Sequence, residues 1–469
     1  MTAKQDISMK IRNFIGNKKF YKMVMTVALP IMIQNLITNF VSMLDNLMVG
    51  NLGTEQMSGV SIVNQLVFIF ALAVFGALSG AGIFTAQFYG KKDTDGIRHT
   101  VRYKVVITLI LMGVGLFIFT VFQDPLIKMF LHESNDGGSI ELTLSYAKQY
   151  LNAYMWGVLP FCLTQVISSS LRETGETVAP MIGGFSAVLV NVSLNWVLIF
   201  GKLGAPALGV VGAAIATNIA RCVECAFIVI YTIKNRSRFT YFKGLFKSFS
   251  IPRKIFKDIT IKGMPLLFNE FFWSLGMSLL SVAYSLYGIS VVAGYSISST
   301  VMNLANIAFI ALGNSIGIIV GKQLGANEFE EAYDTDRKLI TFSAIISLFI
   351  GVIVFLIGGK IPLLYNTSPE SKELATYFIR VCAWFLPVHS FANASYFTIR
   401  SGGKTLVTFL MDSVFIMCVS VPIAFSLYYI FDLPIHTTFL LVQLIDIIKV
   451  IVGLALVKKK VWLNNIVSD

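Results

Sequence analysis

The chain has 469 residues, 55% hydrophobic and only 13% charged, with a mean hydropathy of +0.74. Soluble chains carry about 25% charged residues, so half that share excludes an ordinary soluble domain and points to lipid as the solvent. The net charge of +12 lies between apolar segments rather than on one polar surface, which excludes a nucleic-acid binder.

A bilayer core needs about 20 mostly apolar residues per crossing helix. Twelve segments meet that need: roughly 24–48, 60–88, 103–122, 148–170, 180–200, 208–233, 260–285, 293–320, 339–358, 376–398, 406–430 and 436–457. The sequence predicts an all-α integral membrane protein. The basic start (Lys4, Lys10, Arg12, Lys18, Lys19, Lys22) leads into a full-length span without a small-residue cleavage site, so no cleaved signal peptide is expected. With both termini in the cytoplasm, 29 of the 37 Lys and Arg fall on the inner side and five on the outer side. That asymmetry follows the positive-inside rule and places the chain in the cell membrane. The stretch from Arg238 to Asp258 is basic and rich in Phe, and it reads as an amphipathic interfacial helix on the cytoplasmic face.

That stretch also divides the chain in two. Sliding the second half over the first by 235 residues pairs Pro30 with Pro265, Gly53 with Gly288, Gly59 with Gly294, Gly82 with Gly317 and Gly90 with Gly325. Further on, an offset of 228 pairs Trp156 with Trp384, Arg172 with Arg400 and Gly175 with Gly403. An offset of 225 then pairs Arg221 and Glu224 with Asp446 and Lys449. The expected organisation is a lobe over 1–233, a linker over 234–259 and a second lobe over 260–469. Six crossings per repeat is an even number, so the repeats run parallel. Parallel repeats place substrate sites at their interface, near the midplane.

Ionisable residues inside spans cost at least about 2.5 kcal/mol at the helix centre and mark functional sites. Asp45 lies fifteen residues after Pro30, with no cation near it in sequence. Glu270 follows Pro265 by five residues, among aromatic neighbours. Asp412 precedes Pro422 and reads either as a cavity residue or as a helix-end residue near Arg400 and Lys404. Asn191 and Asn195 stand four apart, so their amides share one helix face. With Thr217 and Asp45 they compose an oxygen-rich cage for a cation. Gln34, Asn35, Asn39, Asn64, Asn269 and Trp273 are further candidates for a substrate cavity. Arg221 with Glu224, and Asp446 with Lys449, are spaced to neutralise each other on one helix.

Nothing in the chain composes an enzyme site. Cys222 and Cys225 form a lone Cys-x-x-Cys with no second pair, so no metal is expected. The histidines (His99, His132, His389, His436) are scattered. No phosphate-binding loop is present, so no cofactor is expected and the energy would come from an ion gradient.

These residues resemble the MATE family, the multidrug and toxic compound extrusion transporters, over about residues 20–460. The resemblance rests on the twelve spans in two halves and on Pro30 followed by Asp45-x-x-x-Val49-Gly50. It also rests on Gln87-x-x-Gly90 with Gln323-x-Gly325, on Arg172-x-x-Gly175 with Arg400-x-x-Gly403, and on Asn191-x-x-x-Asn195. It implies a V-shaped pair of lobes, a central cleft for amphipathic and often cationic compounds, and antiport against Na⁺ or H⁺. It also implies that Asp45, Asn191, Asn195 and Thr217 form a first-lobe cation site. Many members have Asp at the position of Asn195, so this chain has one acid fewer there. Glu270 resembles a seventh-span glutamate used for coupling. A flippase for a lipid-linked saccharide or lipid precursor is the alternative, but Lys and Arg are scarce in these spans. The partners implied are small molecules and the bilayer, with the chain acting as a monomer.

Overall fold

The structure is a computed structural model, and it describes residues 14–130 and 139–468. His132 and the first three basic residues of the N-terminal cluster lie outside the described residues. Among the described residues the chain is helical, with no strand. In chain order the helices are α1 (Lys18–Gly50), α2 (Thr54–Lys91), α3 (Thr94–Val121), the short α4 (Gln123–Lys128), α5 (Ile140–Tyr154), α6 (Val158–Glu173), α7 (Val178–Phe200) and α8 (Gly209–Lys234). They continue with α9 (Arg253–Ser285), α10 (Ile289–Gly325), α11 (Phe329–Ile357), α12 (Pro369–Ser401), the short α13 (Thr405–Phe409), α14 (Val421–Tyr429) and α15 (Ile435–Lys458).

Eleven stretches among the described residues are long and apolar enough to cross a membrane. The fourth expected span is the exception, because a 3-10 turn at Met155–Gly157 divides it into α5 and α6. The eleventh span runs from α13 through two π-helical segments, Leu410–Val414 and Ile416–Ser420, into α14. Pro30 and Pro265, matched by the repeat, both sit inside 33-residue helices. Such prolines persist in lipid because neighbouring groups take up the freed backbone acceptors.

The expected interfacial helix between the repeats is absent. Two short 3-10 turns, Thr240–Phe242 and Leu245–Lys247, occupy that stretch. Gly244 interrupts it with a left-handed φ of +78°, and the residues from Arg253 onward already belong to α9. Tyr241 and Leu245 are buried, so the turns pack against the protein with part of their apolar surface.

The chain divides into two compact units. One comprises Ile33–Thr85 with Thr94–Thr260. The other comprises the chain up to Met32, the short piece Ala86–Asp93 and everything from Ile261. Large apolar side chains face outward on many helices: Phe117, Leu356 and Trp384 are 60 to 70% exposed. That pattern suits a hydrocarbon solvent, where an outward Phe costs nothing.

Packing repeats with the sequence. A Cβ on Gly59 would stand 2.9 Å from the Ala147 amide nitrogen and 3.0 Å from the Thr143 carbonyl, so α2 and α5 touch backbone to backbone there. A Cβ on Gly294 would stand 3.1 Å from both the Ala375 nitrogen and the Ser371 carbonyl, between α10 and α12. Gly294 is the offset-235 mate of Gly59, and Ser371 and Ala375 are the offset-228 mates of Thr143 and Ala147. The same small-residue contact is built twice. Gly90 and Gly325 also answer each other. A Cβ on Gly90 would land on the Lys322 carbonyl, and one on Gly325 would land on the Gln87 carbonyl. Gln87 caps this crossing by donating to the Ser401 and Asn464 carbonyls at 2.9 and 3.1 Å and accepting from the Ile466 amide at 2.8 Å.

Gly90→Leu or Gly325→Leu should therefore destabilise the protein by about 1–3 kcal/mol or more, as overpacking against rigid backbone does. Gly113→Leu is the control, since nothing lies within 4 Å of its Cβ position. Thermal unfolding in detergent checks this: the first two variants should melt lower than wild type and the third should not.

Candidate functional site

Asp45 sits on the last third of α1, in a helix whose other nearby side chains are mostly apolar. Asn191 and Asn195, one turn apart on α7, are both buried. Their shared face turns toward Asp45. Asn195 Nδ2 donates to Asp45 Oδ1 at 2.6 Å, and one end of the Asn191 amide stands 2.9 Å from the same oxygen. The other end meets Thr217 Oγ1 of α8 at 3.2 Å. Asn195 Oδ1 is buried with no hydrogen-bond partner. The unit comprising 33–85 and 94–260 thus brings all four residues of the expected cage together.

The Asn191 amide can be placed in two orientations. With its nitrogen toward Asp45 it donates to the charged carboxylate and accepts from Thr217. With its oxygen toward Asp45 it accepts from Asn195 at 3.2 Å and gives its nitrogen to Thr217. The second orientation sets two oxygens 2.9 Å apart, which is stable only if a proton or a cation joins them.

Tyr150 of α5 and Asn64 of α2 lie beside this cluster, with Tyr150 Oη donating to Asn64 Oδ1 at 3.4 Å. Tyr150 feels the charge of Asp45. Gln34, half-buried on α1, faces Gly184 of α7. Asn35 is half-buried and Asn39 is exposed on the same helix.

The unit containing Ile261 onward holds the other acids. Asn269 of α9 is buried and donates to Asp412 Oδ2 at 3.1 Å. Its side-chain and backbone oxygens both accept from Ser413 Oγ, at 2.7 and 2.6 Å. Asp412 therefore faces α9 from the π-helical segment instead of capping the helix end. Its electrostatic neighbours are Lys449 and Asp446. Glu270, the next residue after Asn269, has Arg400 and Asp412 as its electrostatic neighbours. Trp273 of α9 is 37% exposed.

The two expected charge pairs behave differently. Lys449 Nζ and Asp446 Oδ1 are 3.0 Å apart. No ion pair joins Arg221 to Glu224 among the described residues. Arg221 instead donates to Tyr154 Oη and lies 4.3 Å over the Tyr154 ring and 4.9 Å over the Phe161 ring. The aromatic faces hold the guanidinium across the helix contact, and Glu224 has both Arg172 and Arg221 as electrostatic neighbours.

Three polar contacts, two of them fully buried, escaped sequence reasoning. Lys104 of α3 is fully buried and pairs with Glu173 of α6. Asp336 of α11 is fully buried and accepts from Thr398 of α12. His389 of α12 stands 3.3 Å from Asp446. Lys104 and Asp336 sit close to other charges in the chain, so they read as loop residues. The sole signal for His389 was a histidine inside an apolar span.

Among the described residues no group of three or more His, Cys, Asp or Glu could hold a metal ion. The family model for MatE matches residues 30–197 and 265–430, one match per repeat. A probable multidrug resistance protein NorM of Thermotoga maritima is 28% identical over 417 residues, covering 88% of this chain and 86% of that protein. The multidrug resistance protein MdtK of Yersinia pseudotuberculosis is 26% identical over 364 residues, covering 77% of this chain and 78% of that protein. A crystal structure of MATE in the bent conformation matches with a TM-score of 0.84 at 19% identity, covering 94% of this chain and 95% of the other. With both repeats matched and the fold shared along nearly the whole length, the chain belongs to the MATE family of membrane transporters and is not an enzyme.

Proposed function

We propose that this transporter is a secondary active antiporter that exports amphipathic, cationic organic compounds in exchange for Na⁺ or H⁺. It works by alternating access, as a monomer in the plasma membrane with both termini in the cytoplasm. The two six-helix repeats, 1–233 and 260–469, serve as its lobes, joined by residues 234–259. The NorM and MdtK relatives are named multidrug resistance proteins, which supports the export of drug compounds. The observation that carries the coupling is the Asp45 cluster: a carboxylate in a spanning helix, bonded only by uncharged amides, with Asn195 Oδ1 left over as an acceptor. Among the described residues no fixed cation pairs with Asp45, which leaves the role of neutralising it to a mobile one.

On this reading a coupling ion that neutralises Asp45 favours one arrangement of the cluster, and its loss favours the other. Substrate cations then compete for the same charge through the conformational equilibrium. In the second repeat, Glu270 and Asp412 supply acids beside Arg400 and Lys449. The acids outnumber the basic groups there once Asp446 is included, which suits cationic rather than anionic cargo.

Proteoliposomes loaded with a cationic dye test the proposal. An imposed Na⁺ or pH gradient should drive dye movement in wild type, and whichever gradient works names the ion. Asp45→Asn should cut that gradient-driven rate by about tenfold or more, a loss of about 1.4 kcal/mol of coupling. Wild-type rates in both Asp45→Asn and Glu270→Gln would overturn it.

A second prediction follows from the 2.6 Å contact between Asn195 and Asp45. Asn195→Asp places two carboxylates at that contact, and like charges so close need a shared cation. This variant should bind Na⁺ more tightly than wild type in ²³Na or ²²Na binding measurements. Unchanged Na⁺ binding would mean that the site does not hold the ion.

A further inference from the structure

After α15 the chain runs on through Lys459–Ser468 in turns and irregular backbone. The first part of this tail is fixed to the second repeat. Trp462 is fully buried, and its ring N–H donates to the Val457 carbonyl at 3.3 Å. A Cβ on Gly402, at the end of α12, would land on the Trp462 carbonyl. Lys460 lies 4.3 Å over the Tyr333 ring of α11. Beyond Leu463 the tail reaches a helix of the first repeat, α2. The Ile466 amide donates to Gln87 Oε1 at 2.8 Å, and Gln87 Nε2 donates to the Asn464 carbonyl at 3.1 Å. Lys91 Nζ donates to the Val467 carbonyl at 2.9 Å. Asn465 Nδ2 holds the other side, donating to the Gly325 carbonyl at 3.3 Å and to Asn327 Oδ1 at 2.7 Å, where α10 ends.

These bonds surround the Gly90–Gly325 crossing, where α2 and α10 touch backbone to backbone. The crossing falls on a divided helix: Thr54–Thr85 of α2 belongs to one compact unit and Ala86–Lys91 to the other. The end of α2 is thus packed with the second repeat. The first repeat offers a comparison. The segment after α8 is the offset-225 mate of the tail, and it packs at a matched place: Tyr241 Oη meets Thr174 Oγ1 at 2.9 Å, and Thr174 is the offset-228 mate of Gly402. That segment is tied to its own repeat, since the Thr240, Leu245 and Ser250 carbonyls accept from Arg98 and Arg102 of α3. The tail differs in reaching a helix of the other repeat.

We propose that Leu463–Val467 is a strap that holds the end of α2 against α10, and that it detaches before this crossing opens. The chemistry suits a reversible hold. Two glycines in contact have no side chains to interlock, so the helix ends can part without drawing one out of a socket. What fastens them is a set of hydrogen bonds from amides, an ammonium group and main-chain groups. Water replaces such bonds on release, so their net strength is modest. With Trp462 anchored, the released strap stays beside the crossing and rebinding is intramolecular. The use of the strap in transport rests on the alternating-access reading above, in which this end of the bundle is the cytoplasmic one. The hold itself does not depend on that reading.

Spin labels at Lys92 and Glu328, just past the ends of α2 and α10, read the hold directly. Pulsed electron paramagnetic resonance is measured on full-length protein in lipid nanodiscs, with its five cysteines replaced by serine. Two variants cut the strap from opposite sides. Gln87→Leu removes the amide on α2, and Ile466→Pro removes the donor N–H on the tail without touching a span. Each should raise the longer-distance population by about threefold or more over the same labelled protein with the strap intact. Distance distributions unchanged in both variants would overturn the strap. In proteoliposomes, a short cleavable thiol crosslinker between Lys91→Cys and Val467→Cys should slow gradient-driven dye efflux by about tenfold or more, with recovery on cleavage. Undiminished efflux from the crosslinked protein would also overturn it. If no gradient drives efflux in wild type while both strap variants lengthen the distance, the antiport reading fails and the strap stands.

Discussion

A charge held inside an apolar helix bundle has to be neutralised from within the bundle, because lipid offers nothing to solvate it. That requirement organises this protein more than any packing rule. Lys104 is fully buried and is met by Glu173. Lys449 is met by Asp446. Arg221 is held by a tyrosine hydroxyl and two aromatic faces. Among the described residues, the side chains that bond to Asp45 are the uncharged amides of Asn195 and Asn191.

The two repeats apply the same scaffold to different chemistry. Their glycine contacts coincide position for position, Gly59 on Thr143 and Ala147, Gly294 on Ser371 and Ala375. Backbone approach tolerates no variation, since any side chain there would collide. The polar positions have no such constraint. Asp45 and Leu280 occupy matched places, as do Arg221 and Asp446, with opposite character in each case. Packing preserved the frame while the charges were redistributed.

The frame was legible in the sequence for the same reason. Long apolar runs, paired prolines and paired glycines are local or periodic signals, and the helices fall where those signals put them. The Asp45 cluster was also legible, because Asn191 and Asn195 share a helix face and Asp45 is an isolated acid in an apolar run. Three things were not. The stretch after Arg238 has the composition of an interfacial helix, but Gly244 and Pro252 break it into turns. His389 and Asp446 lie 57 residues apart on different helices, so only the fold brings them to 3.3 Å. The π-helical segments in the eleventh span likewise leave no mark in composition, yet they set the face on which Asp412 meets Asn269.

If the central account is right, coupling ion and substrate oppose each other in binding, and the opposition is reciprocal. Calorimetric titration of a cationic substrate into purified protein, repeated across pH and with or without Na⁺, reads this directly. The account predicts that substrate affinity weakens as the concentration of one of these cations rises, and that Asp45→Asn flattens the dependence. A substrate affinity indifferent to both pH and Na⁺ in the wild-type protein would contradict it.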